Sequence, residues 1–228
     1  MQFLNKLERK FGRYAIPNLM TILTFGMGLV FVLDMMTAAN PNYEFSLSSI
    51  LYFDREAVLQ GQIWRVLTFL FLPPDSSMLF ILFALYFYWM IGTALERQWG
   101  SFKFNVYYFT GAIGTIISGI ITGGATNTYL NLSLFLAFAA IFPDYEILLF
   151  FFIPIKMKYL AIFDGLLLLF SFIMVNSLSY RIAILVSVVN FLLFFGKDFF
   201  IRIRYFLRRK KSGGNQAEWK DHWWNDKK

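Results

Sequence analysis

The chain carries a single histidine, His222, close to its C-terminus, and no cysteine. Without thiols there can be no disulfide, no thiolate metal site and no cysteine nucleophile. A serine or threonine hydroxyl is a weak nucleophile at its own pKa and needs a neighbouring base, and the one imidazole lies outside every apolar run. Neither a metal nor a cofactor is expected. The remaining candidates for chemistry are two carboxylates in long apolar runs, Asp34 and Asp164, accompanied by Asn105, Asn131 and Asn190. Acids in such surroundings are by default candidates for a proton or ion path. These two are predicted at different depths, with no cation at either depth, and the chain lacks the internal repeat usual in transporters. Hydrogen bonding between helices is therefore the favoured role, and a small transporter stands as the second alternative.

The elements that position these residues follow from composition. Of 228 residues, 58% are apolar and only 15% charged, with 29 phenylalanines. A soluble domain of this length could not cover so much apolar surface, which excludes a soluble globular enzyme, and disordered chains are apolar-poor. An integral membrane protein remains. With ~20 residues per membrane helix, the length fits one bundle of five to seven helices. The chain divides into an amphipathic N-terminal segment over 1–16, a membrane domain over 17–199 and a basic, Trp-rich tail over 200–228. Spans are predicted at about 17–38, 77–95, 104–122, 129–142 (short), 158–174 and 181–199. Residues 39–76 form a long amphiphilic loop half-embedded at the interface. Residues 147–155 are apolar but too short to span, so they are read as an interfacial turn.

The third span carries two adjacent rows of small residues, Gly111, Thr115, Gly119, Gly123 and Thr110, Gly114, Ser118, Thr122. Such spacing lets helix backbones approach closely and predicts a central helix. With six spans both termini share one side. Eighteen of the 21 Lys and Arg residues then fall on that side, leaving Arg55, Arg65 and Arg181 opposite. The positive-inside bias places both termini in the cytoplasm. The absence of cysteine and of a secretory signal leans toward a prokaryotic plasma membrane.

Three segments resemble the rhomboid-like superfamily, which includes rhomboids and derlins. GQIWRVLTFLF (61–71) resembles the G-x-x-W-R of the family's first loop. ALERQWGSFKFNVYYFTGAIG (94–114) resembles the junction between its second and third helices. LAFAAIFPDYEILLFFFIPIKMKYL (136–160) resembles the stretch after its fourth helix. They occur in family order and spacing over about 100 residues. The resemblance implies an all-α, six-helix membrane bundle and structural roles for Trp64, Arg65, Glu96 and Gly100. Trp64 with Arg65 would anchor the loop at the headgroup level. Glu96 would tie the turn after the second helix to nearby backbone N–H groups.

Active rhomboids are intramembrane serine proteases. The resemblance implies a Ser in Gly-x-Ser-Gly at the start of the fourth helix, a His on the sixth, and a His and Asn near the second to hold the oxyanion. This sequence departs from that pattern. The nucleophile position falls at Thr126, Asn127, Thr128 and Tyr129, with Ser133 the next hydroxyl and no flanking glycines. No His lies in any span, and residues 75–85 contain neither His nor Asn. The expectation is a pseudoprotease without catalytic residues that binds transmembrane segments or membrane-protein clients and influences their stability or trafficking. An atypical active intramembrane serine protease is the first alternative.

The tail adds two expectations. Residues 197–211 hold seven Lys or Arg interleaved with apolar residues, which reads both as a topology signal and as a helix lying on anionic lipid. Trp219 and Trp223 would share a helix face. The bilayer and transmembrane clients are the expected partners, and nucleic acid is not.

Overall fold

The computed structural model describes residues 2–38, 46–74, 77–149, 153–174 and 177–211. His222, Trp219 and Trp223 lie outside the described residues. Helix α1 (Gln2–Phe11) leads through a 3₁₀ turn at Gly12–Tyr14 and a left-handed Asn18 into α2 (Leu19–Ala38). Pro17 therefore precedes the first span, which begins at Leu19. The first loop folds into three short helices, α3 (Leu47–Leu51), α4 (Arg55–Leu59) and α5 (Arg65–Thr68), with a two-residue strand β1 (Phe53–Asp54). Helices α6 (Met78–Trp99) and α7 (Ser101–Thr122) meet at Gly100, whose φ of +83° a residue with a Cβ would adopt only under strain. Strand β2 (Gly124–Ala125) pairs antiparallel with β1, with Asp54 opposite Gly124. Helix α8 (Thr128–Ile141) follows. An antiparallel hairpin of β3 (Glu146–Leu149) and β4 (Ile153–Lys156) then leads to α9 (Met157–Met174) and α10 (Leu178–Lys211).

The architecture is the expected all-α membrane bundle. Among the described residues five helices, α2, α6, α7, α9 and α10, are long and apolar enough to cross a bilayer. Helix α8 is not. Its 14 residues span ~21 Å, short of the ~30 Å hydrocarbon layer, so its ends need protein around them. Seven of its residues are buried, on several sides of the helix. Two details go beyond expectation. Residues 146–149 and 153–156 pair as antiparallel strands within the stretch expected as an interfacial turn, with Ile147 opposite Ile155. The apolar span of α10 covers Leu178–Gly196, near the expected 181–199, but the helix does not end there and continues unbroken to Lys211. No Gly or Pro interrupts 197–211, and Lys, Arg, Leu and Ile there all tolerate a helix.

Helix α7 is central, with half of its span buried against 6% for α9. Its small residues are the reason. A Cβ on Gly111 would stand 2.5 Å from the Leu130 Cδ1 of α8 and 2.7 Å from the Asn190 Nδ2 of α10, and one on Gly114 would stand 2.7 Å from Val186. A Cβ on Gly119 would stand 2.5 Å from the buried Phe53 ring. Thr115 is buried in the same row and bonds its own helix at Gly111 O, 3.0 Å away. Gly123 leaves the row. Its φ is +100°, a Cβ there would meet nothing within 4 Å, and its N–H caps α7 by donating to Gly119 O. It stops the helix rather than packing it. Close approaches outside the predicted rows include Gly26 against Phe71 and Gly92 against Met20, which bring α2 onto the first loop and α6.

Candidate functional site

The start of α8 is where a nucleophile would sit. Asn127 is buried, and its Nδ2 donates to Leu70 O (3.1 Å) and Leu72 O (2.8 Å). It thus clamps the end of the first loop under α8. Thr126 and Thr128 hydroxyls bond each other at 3.1 Å, and Thr128 is exposed. Tyr52 packs onto this turn, since a Cβ on Gly124 would lie 2.2 Å from its phenol oxygen. Burial, reinforced by Asp54 and Tyr180, pushes the Tyr52 phenol up from its ordinary value, so it stays protonated at neutral pH and is no base.

Ser133 lies one turn deeper and has no exposed surface. Tyr107 Oη donates to Ser133 O at 2.9 Å and also contacts the Ser133 hydroxyl, which accepts from Asn190 Nδ2 at 3.2 Å. The gap among Gly111, Leu130, Ser133, Ser187 and Asn190 admits no water. Both hydroxyl regions therefore have defined partners, and neither partner is an imidazole or a carboxylate. The network's evident work is joining α7, α8 and α10 in an apolar interior, where unpaired polar groups are costly. The sequence reading missed Tyr107, and its recurrence with Tyr108 beside the small-residue rows was the available signal.

The first loop is held by Arg65. Arg65 is not the headgroup anchor expected of it. Arg65 is 9% exposed and turned inward, its Nη1 donating to Ser49 O and Tyr52 O (2.8 Å each) and its Nε to Gln62 Oε1 (2.7 Å). A planar guanidinium with five donors suits this gathering of carbonyls. Trp64 instead points outward, 48% exposed, in line with exposed Leu59, Ile63 and Leu67. This apolar rim matches a loop half-embedded in lipid. Asp54 caps α4 by accepting from the N–H groups of Glu56 (2.8 Å) and Ala57 (3.1 Å).

At the other end of the bundle Glu96 performs the tie expected of it. It is buried, and its Oε1 accepts from the Asn18 N–H (2.8 Å) and the Ser101 hydroxyl (2.7 Å). Asn105 Nδ2 donates to Ile16 O at 3.1 Å, and Glu8 of α1 pairs with Lys103 at 3.2 Å. The entry to α2 is thus stapled onto the α6–α7 turn.

The two acids differ. The Asp34 carboxylate accepts from the backbone N–H groups of Leu47 and Ser48 and the hydroxyls of Ser46 and Ser48. It caps α3, a helix-to-loop contact rather than a helix-to-helix one. Asp164, on α9, has a buried Oδ2 without a hydrogen-bond partner. Asn131 and Asn190 also keep a buried, unpartnered Oδ1.

Such a site defines a class, a polytopic membrane bundle whose short fourth helix is enclosed by its neighbours and fronted by a clamped, lipid-facing loop. A family model of the Rhomboid domain matches residues 60–191, from the first loop into α10 and over more than half of the chain. The protein belongs to the rhomboid family and is an integral, multi-pass membrane protein. No curated protein matches the chain.

Proposed function

We propose that this rhomboid-family protein is non-catalytic and binds transmembrane segments of client membrane proteins, influencing their stability or trafficking. The observation that carries the reading is the state of the hydroxyls where a nucleophile belongs. Ser133 is sealed and hydrogen-bonded by Tyr107 and Asn190, and Thr128 meets Thr126. The chain's one histidine, His222, follows all six helices in a segment predicted to be cytoplasmic. A rhomboid scaffold without a Ser–His pair keeps its lipid-facing helices and loop rim, which suit helix-to-helix recognition. In this reading both termini are cytoplasmic in a prokaryotic plasma membrane, and the basic residues after Gly196 lie near anionic lipid.

The test uses the full chain in lipid nanodiscs. A fluorophosphonate probe and a helix-destabilised transmembrane substrate should give neither labelling nor cleavage, while crosslinking in membranes should recover transmembrane proteins. Cleavage that is abolished by Thr128→Ala with Ser133→Ala would replace this reading with that of an atypical protease.

A further inference from the structure

Helix α1 carries cations that neither the bundle nor the proposed function uses. Lys6, Arg9 and Lys10, with Arg13 of the following turn, are all exposed. Among the described residues no carboxylate pairs with any of the four. The only acid before Asp34 is Glu8, and it is spent on Lys103, 3.2 Å away. The segment therefore presents uncompensated positive charge.

The same ion pair fixes the level of that charge. Lys103 stands in the first turn of α7, a helix that is membrane span over its whole length. The Glu8 carboxylate also lies beside the α6–α7 turn, 3.6 Å from a Cβ built on Gly100. Helix α1 is thus pinned at the edge of the bilayer. Lys6, Arg9 and Lys10 are within two residues of Glu8, about 3 Å along the helix axis, and the headgroup layer is roughly 5–8 Å thick on each side.

Apolar surface accompanies the cations. Lys10 Nζ lies 5.3 Å from the centre of the exposed Phe11 ring. The Arg13 guanidinium lies 4.8 Å from that of exposed Tyr14, and its Nη2 donates to Tyr14 Oη at 2.7 Å. A cation folded over an interfacial ring offers donors to headgroups while the ring meets acyl chains. The exposed apolar residues continue along the chain through Ile16 to Ile22 and Phe25 of α2. An acidic protein or a free anion would use the charge and leave this rim in water, whereas an anionic leaflet uses both.

We propose that Lys6, Arg9, Lys10 and Arg13, with Phe11 and Tyr14, form a binding surface for anionic phospholipid in the leaflet on the N-terminal side of the bundle. The headgroup phosphate takes the guanidinium and ammonium donors, and the net negative charge of the lipid supplies the selectivity over zwitterionic headgroups. The surface is separate from the basic C-terminal segment, and it stands whether or not the protein binds clients.

The chain lacks cysteine, so Leu7→Cys places one fluorophore in the middle of α1. The full-length labelled protein is held in nanodiscs of phosphatidylcholine alone or of an equal mixture with phosphatidylglycerol. Shielding of the label from acrylamide, a neutral quencher, should be several-fold greater in the mixed nanodiscs and should fall as salt is raised. Lys6→Gln, Arg9→Gln, Lys10→Gln and Arg13→Gln together should abolish the difference, and Lys10→Gln with Arg13→Gln should give an intermediate value. Arg208→Gln with Arg209→Gln, in the C-terminal segment, should leave it in place. Thermal unfolding of each variant reports that the bundle is intact. Equal shielding in the two lipids overturns the proposal. So does a preference that survives the four substitutions, or one that disappears with the C-terminal pair. Inorganic phosphate added to phosphatidylcholine nanodiscs should not reproduce the shielding, and if it does, the surface takes a free anion rather than a lipid.

Discussion

Replacing Glu96 separates the two things a carboxylate can contribute at the α6–α7 turn. Its Oε1 receives both the Asn18 N–H and the Ser101 hydroxyl, at 2.8 and 2.7 Å, and the residue is buried. Hydrogen bonds to a charged acceptor contribute about 1.5–3 kcal/mol each, and neutral ones about 0.5–1.5. Glu96→Gln keeps an oxygen acceptor at the same place, loses the charge and relieves its desolvation, so the net cost should be about 1 kcal/mol. Glu96→Ala removes the acceptor and leaves the Asn18 N–H without a partner at the mouth of α2. That should cost about 3–4 kcal/mol. The carboxylate also faces the N-terminus of α7, where helix polarity favours an anion, so the Gln variant should not be stabilising. The assay is reversible unfolding in mixed micelles, with amide exchange at Asn18 as the local readout. Exchange should rise sharply in the Ala variant and little in the Gln variant. A Glu96→Ala protein within about 0.5 kcal/mol of the parent, or a Gln variant as damaged as the Ala one, would refute the view that the acceptor oxygen is what holds α2 to the turn.

Two glycines make opposite predictions. Gly111→Val must displace Leu130 and Asn190, whose atoms would lie 2.5 and 2.7 Å from the new Cβ, and should cost at least the ~1–3 kcal/mol typical of overpacking. Gly165→Ala meets nothing and should be neutral or stabilising by up to ~1 kcal/mol through helix propensity, both read from thermal unfolding in the same micelles. Near the hairpin, the bond and charge of Lys158 hold the Asp144 carboxyl below the usual carboxylate range. Because the folded value is depressed, the contribution of this pair is present above the ordinary value of about 3.9 and is lost as pH falls through the folded one. The effect on stability is small for so exposed a pair. The direct check is the carbon titration of Asp144 by NMR, which should have its midpoint below about 3.9 and rise toward that value in Lys158→Met.

Much of the scaffold could be read from residue types alone. A 20-residue apolar run has few alternatives in lipid, and small residues every four positions in α7 announced a crowded helix. The tie made by Glu96 was also legible in kind, since a buried carboxylate beside a turn must find donors. Its partner Asn18 was not, because 78 residues separate them. Spacing cannot tell a packing glycine from a stopping one, which is why Gly123 was grouped with Gly119. An Arg beside a Trp at the interface usually faces lipid headgroups, so the sequence around Arg65 points outward. The competing demand came from carbonyls in a loop whose short helices leave Ser49 O and Tyr52 O without helical partners, and no periodicity reveals that. The two-residue pairing of β1 with β2 lies below any sequence signal. The polar cluster of Tyr107, Ser133 and Asn190 joins three helices, so each member looked isolated in the chain.

Helix α10 has a mechanical consequence. Its 34 residues make a rod ~51 Å long, about 20 Å more than the hydrocarbon layer needs. Ile184, Ser187, Asn190 and Phe191 grip the rod inside the bundle, and no break follows before Lys211. A rocking of that grip by 10° would swing the far end by roughly 5–6 Å, with no hinge in between to absorb it. Repacking around Ser133 and movement beyond the membrane are thus two ends of one lever.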